Sequence, residues 1–289
     1  MTMDTILREI GARRGRELGA SLKDQEQFRA HYWKEKDYFL PQRLEWRARM
    51  TRHLFHLFPD ESILEIGCSA GQWSRKLSAA NGDTNKICAA TFDSASYEQM
   101  LRDRVPENIE PVLLDAFPGS LQGRQFDTIV GWNLLTDDNC GPLLLEVKKL
   151  LKPGGKILFF DANPWNPYYI SRRFFCRAVS FLLKSREEGS SLNRIDLFTI
   201  LSEVGYTGIK ILPYDFVYPP IPRFLLWPVQ NLSLILENFP FLRNCAGSLY
   251  ILAQKPPVEG AKRKTSNLAR HQMFKGKVSV VVPCRNEED

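Results

Sequence analysis

Ile63-Leu64-Glu65-Ile66-Gly67-Cys68-Ser69-Ala70-Gly71-Gln72-Trp73 is the stretch from which the fold is read. Residues up to Ile66 are apolar apart from Glu65 and suit a strand covered on both faces. The small residues from Gly67 to Gly71 suit a tight turn, and a helix follows them. Small side chains at Gly67, Ser69 and Gly71 let a ligand come close to the backbone, with the N–H groups of the helix start facing it. Glu65, at the carboxyl end of the strand, stands beside the crevice where parallel sheets bind ligands.

Working outward from this unit, short apolar runs alternate with longer polar stretches of helical period, the pattern of a parallel sheet with crossover helices. Strands are predicted at Ser62–Ile66, Ile87–Phe92, Pro111–Leu114, Thr128–Trp132, Lys156–Phe160, Gly208–Leu212 and Ser248–Gln254. Helices are predicted at Gly141–Leu151 and Arg194–Val204, the second capped by Gly205. Lys152-Pro153-Gly154-Gly155 reads as a turn between a helix and the fifth strand. The fold class is therefore α/β, a doubly wound, seven-stranded, mostly parallel sheet.

Residues 1–58 read as an N-terminal helical cap, with helices at Asp24–Tyr38 and Gln42–Phe58. The second of these places Leu44, Trp46, Met50, Leu54 and Leu57 near one face. Residues 59–255 form the sheet domain, interrupted by insertions at 163–192 and 214–246 that are larger than ordinary connections and are expected to cover its ligand edge. Residues 256–277 are a basic linker, and 278–289 a further short strand and loop.

Glu65 also bears on the ligand. A dinucleotide site uses G-x-G-x-x-G to seat a pyrophosphate on a helix terminus. Here an acidic residue precedes G-x-x-x-G, and its charge repels phosphates but suits an ammonium or sulfonium group. That favours S-adenosylmethionine over a nicotinamide cofactor.

Glu65 to Gly71 resembles the first motif of the class I S-adenosylmethionine-dependent methyltransferases, and the resemblance extends over roughly residues 40–255. Asp93 resembles the acid that holds the ribose hydroxyls, and Asp115-Ala116 the pair that reads the adenine edge. Phe126-Asp127 opens the fourth strand, Trp132-Asn133 ends it beside the methionine moiety, and the Leu151–Gly155 turn matches the family's signature after the helix. The resemblance implies a Rossmann-like methyltransferase fold with cofactor-binding residues Glu65, Gly67, Ser69, Gly71, Asp93, Asp115, Ala116 and Asn133. Ser69 departs from the family's commoner middle glycine, and the stretch from Gly71 to Asp93 is a few residues longer than usual.

Transfer from a sulfonium is an in-line displacement that positioning and exclusion of water can drive without a dedicated base. Candidates for a base are His31, Tyr32, Tyr38, Asp137, Asp138, Tyr168 and Tyr169, and the catalytic residue is left unassigned. Asn163-Pro164-Trp165 and Asn166-Pro167-Tyr168 superficially match the motif of nucleobase amino-methyltransferases but follow the wrong strand, so a nucleic-acid acceptor is not expected.

The net charge of +6 and pI of about 9.0 permit an anionic partner without choosing one. Ser171–Lys184 interleaves Arg172, Arg173, Arg177 and Lys184 with apolar residues. With Phe224–Leu236 it reads either as a packed cap or as a lid that admits a lipid-like acceptor or rests peripherally on a membrane. Six cysteines lie far apart with no CxxC pair and no cluster of ligand spacing, so reduced thiols and no metal site are expected. No signal segment or spanning stretch is read, which gives a cytoplasmic expectation.

Val278–Asp289 resembles the opening strand and loop of family 2 glycosyltransferases. That implies the front of a fusion with a glycosyltransferase domain in cis, and with it a small-molecule, glycan or lipid-linked acceptor in cell-envelope glycan synthesis. The alternative reading is a non-catalytic docking module for that fused transferase.

Overall fold

The computed structural model describes residues 15–27, 40–55, 57–167, 170–171, 192–215 and 223–257. The chain divides into a unit from Met1 to Pro257 and a second from Val258 to Asp289. The second unit lies outside the described residues, and with it the expected linker and terminal strand.

The larger unit is built on one seven-stranded sheet of order β3-β2-β1-β4-β5-β7-β6. Its strands are β1 (Ser62–Ile66), β2 (Lys86–Thr91), β3 (Ile109–Leu113), β4 (Phe126–Trp132), β5 (Leu151–Ala162), β6 (Thr207–Tyr214) and β7 (Ser248–Gln254). All neighbours pair parallel except β7, which runs antiparallel to both β5 and β6. The order reverses between β1 and β4, which sets the topological switch point, and so the ligand crevice, at their carboxyl ends.

Residues 15–27 form α1. It is followed by α2 (Leu40–Phe55), α3 (Gln72–Ala80), α4 (Ser94–Arg102), α5 (Cys140–Leu150), α6 (Arg194–Val204), α7 (Leu226–Glu237) and α8 (Pro240–Arg243). Two apolar clusters sandwich the sheet. Ile63, Ile87, Val130, Leu158 and Phe160 pack with α2, α3 and α4 on one face. Leu64, Ile66, Ile129, Ile157 and Phe159 pack with α5 and α6 on the other. Alternate residues of each central strand therefore meet apolar partners on opposite sides, which is why these strands read as unbroken apolar runs.

Two local expectations change. Lys152–Gly155 is not a turn ahead of β5 but lies inside the strand: Phe126 of β4 pairs with Leu151, and the next pair is Thr128 with Lys156. The extra residues form a bulge, which a glycine-rich segment accommodates. A helix is observed over 15–27; the expected helix Asp24–Tyr38 shares residues 24–27 with it, and its remainder lies outside the described residues.

The buried stripe of α2 also differs, consisting of Arg43, Leu44, Arg47, Ala48, Thr51 and Phe55. Trp46 is 38% exposed and stacks on Tyr214. Two arginines displace the expected apolar residues because each finds a partner. Arg43 donates to Asp215 at 2.9 Å, while Arg47 donates to the Tyr214 hydroxyl at 3.0 Å and lies over the Trp132 and Phe160 rings. Burial pushes the Tyr214 phenol up, so it stays neutral and serves as acceptor.

Candidate functional site

The turn after β1 winds through three residues of positive φ, Gly67 (67°), Ser69 (49°) and Gly71 (68°). The small residues at these positions are thus needed by the backbone itself, and Ser69 bears a strain that glycine would escape. At Gly71 a Cβ would stand 2.9 Å from the Met100 sulfur, so the bend is also a close approach. Cys68 N donates to Ala90 O at 2.9 Å, which ties the loop to β2.

Glu65 is fully buried at the end of β1, where one carboxylate oxygen accepts from the Ser74 hydroxyl of α3. It therefore anchors the helix that follows the glycine turn and does not stand open in the crevice. Trp73 is core, with its ring edge-on to Phe160.

Asp93 is half-buried after β2. Its Oδ2 caps α4 by accepting from Ser96 N at 2.8 Å, which leaves Oδ1 for another donor. Asp115 is exposed and Ala116 half-buried after β3. Asn133 follows β4 with φ 49°, its N–H donating to Phe160 O at 2.7 Å. Glu65, the glycine turn, Asp93, Asp115, Ala116 and Asn133 thus all lie at the carboxyl ends of β1 to β4.

Of the candidate bases, Asp137 and Asp138 are exposed in the loop after β4. His31, Tyr32, Tyr38, Tyr168 and Tyr169 lie outside the described residues, as does the basic segment from Arg172 to Lys184.

The structure adds a residue that sequence reading missed. Glu26 of α1 is 1% exposed. Its carboxylate accepts from Ser69 N at 2.6 Å, from Thr91 Oγ1 at 2.8 Å and from Phe92 N at 2.8 Å. It therefore bridges the glycine turn and the end of β2, next to Asp93.

The rest of α1 lies along the same edge. Leu18 and Leu22 pack with Phe92, Leu114 and Phe117, and Ser21 accepts from Asn139. A Cβ on Gly19 would lie 3.0 Å from Ala116 Cα, so the helix rests directly on the segment expected to read adenine. Leu18, Leu22 and Glu26 recur every fourth residue, and a carboxylate on that apolar stripe is the signal that was available.

Asp127 at the opposite, amino end of β4 is structural. It accepts from Ser62 N at 2.9 Å, from Ser62 Oγ at 2.7 Å and from Lys152 Nζ at 2.6 Å. Burial pushes its carboxyl up, but the bonds from Lys152 and Ser62 outweigh this and hold it below its ordinary value.

Residues 63–155 match the family model described as a methyltransferase domain. A demethylmenaquinone methyltransferase of Lactococcus lactis subsp. lactis is 27% identical over 129 residues, covering 43% of this chain and 51% of that protein. The chain thus spans about half the length of that curated relative.

Among solved structures, a methyltransferase of Thermotoga maritima described as a possible histamine N-methyltransferase aligns with TM-score 0.51 and 14% identity, over 81% of this chain and 99% of that one. The plantazolicin methyltransferase BpumL, solved in complex with SAH, aligns with TM-score 0.50 and 17% identity, over 88% and 98%. At these identities the likeness is one of fold.

Proposed function

We propose that this chain, which carries a class I S-adenosylmethionine-dependent methyltransferase domain, transfers a methyl group from that cofactor to a small-molecule, glycan or lipid-linked acceptor. The observation that carries this reading is the positive-φ turn at Gly67, Ser69 and Gly71 at the switch point, with Asp93 and Asp115 at the ends of the next two strands. The residues fit the cofactor in kind. Asp93 keeps one carboxylate oxygen for a ribose hydroxyl, Asp115 offers an exposed carboxylate to an adenine amine, and the turn is built of small residues at positive φ, with its Ser69 N–H engaged by Glu26. When bound, the cofactor supplies an activated methyl group on a sulfonium.

The chain's own contribution is to bind, orient and exclude water at the carboxyl ends of β1 and β4. Glu65 anchors α3 through Ser74, and α1 covers the edge where Ala116 lies. The acceptor class rests on the resemblance of Val278–Asp289 to the start of a glycosyltransferase, which favours a glycan or lipid-linked molecule in envelope synthesis. The basic amphipathic run Ser171–Lys184 favours a site beside the membrane. A non-catalytic docking module for a fused glycosyltransferase is the second reading, drawn from Val278–Asp289.

Calorimetry with S-adenosylhomocysteine separates the two. The catalytic reading expects saturable micromolar binding that weakens at least about tenfold in Asp93→Asn. Absence of heat at high micromolar ligand would leave only the docking module.

A further inference from the structure

Beyond β5 the carboxyl edge of the sheet carries a groove of about 470 Å³, within the roughly 300–1,000 Å³ range of small-molecule sites. It shares no lining residue with the glycine turn or its acids. Trp165, Ile195, Phe198 and Ile211 supply apolar wall, and the first three stand 60%, 75% and 53% exposed. Apolar surface gathered around a concavity gains free energy when a ligand removes it from water.

Most polar groups of the groove are already engaged. Asn163 donates to the carbonyls of Asn244 and Ala246 and accepts from Trp165 N. Asn193 caps α6 by accepting from Ile195 N and Asp196 N. Asn244 accepts from Arg194 Nη1 at 2.9 Å, which fixes the guanidinium at the groove without neutralising it. No carboxylate lines the groove among the described residues. Asp196, two positions along α6 from Arg194, points to another side of the helix.

We infer that this groove is a binding site for an anionic amphiphile, a hydrocarbon or aryl body ending in a phosphate or carboxylate. Arg194 takes the anionic head, and Trp165, Phe198 and Ile195 take the body. A purely apolar ligand would make no use of the guanidinium charge, and a bare sugar would leave the aromatic wall in water. Occupancy does not require the cofactor, so the inference stands or falls apart from the methyl-transfer reading.

Binding of dodecyl phosphate and of dodecanol, each below its aggregation concentration, tests it by titration calorimetry. The wild-type chain should bind the phosphate at least about tenfold more tightly than the alcohol. Arg194→Gln should abolish that preference, Arg194→Lys should retain most of it, and Phe198→Asp should weaken both ligands. Arg194 and Phe198 are exposed, so these variants should keep the wild-type melting temperature closely enough to be compared. Flotation with phosphatidylglycerol vesicles then separates the sources of the head group. Co-flotation lost in Arg194→Gln supports a membrane lipid, whereas monomer binding without flotation supports a free amphiphile. Equal wild-type affinity for the two dodecyl compounds, or a preference untouched by Arg194→Gln, overturns the assignment.

Discussion

Glu26 shows how much one side chain can organise. Its carboxylate holds two backbone N–H groups and a hydroxyl in a place almost closed to water. Removing it strands those donors, and the cost of unsatisfied buried groups exceeds the net gain of making the bonds. Glu26→Ala should therefore lose about 2–3 kcal/mol in urea unfolding, and α1 should become the first site of proteolysis. A loss below about 0.5 kcal/mol, the scale of an ordinary surface change, would mean that α1 is held by its other contacts, Leu18, Leu22 and the Ser21–Asn139 bond among them.

Among elements, β4 is stapled to both of its neighbours at its first turn, since Asp127 reaches Ser62 of β1 and Lys152 of β5. The native carboxyl is held below its ordinary value of about 4, so its contribution is fully present above that pH and is lost as pH falls through the native value. Asp127→Asn should cost about 1–2 kcal/mol at pH 7, and the gap between variant and wild type should close on acidification toward pH of about 2. A gap that stays constant across that range would assign the stabilisation to shape rather than charge. The same staple ties the bulge to β4, because Lys152, the first of the residues 152–155 that bulge, reaches back to Asp127.

At the scale of the whole molecule, Arg43 and Asp215 stand 172 residues apart in sequence and meet at 2.9 Å in the interior. The pair joins α2 to the end of β6, and beside it Arg47 lies over Trp132 and Phe160. Removing one partner takes from a buried charge the opposite charge that stands 2.9 Å from it. Arg43→Met should therefore cost about 3–5 kcal/mol, and the double variant Arg43→Met with Asp215→Asn should cost less than the sum of its parts. Additivity in urea unfolding would show that the two groups do not sense each other.

The sequence by itself determined the strand and helix order, the glycine turn after β1 and the acids that close β2 and β3. Apolar period and turn chemistry are properties of neighbouring residues, so they can be read along the chain. Only the tertiary structure decided that Glu65 is buried under α3, that Glu26 closes on the strand ends, that α2 buries arginines and that residues 152–155 bulge within β5. Each of these depends on a partner remote in sequence, and a hydrogen-bond or ion-pair partner across the sheet leaves no periodic trace in the local order of residues.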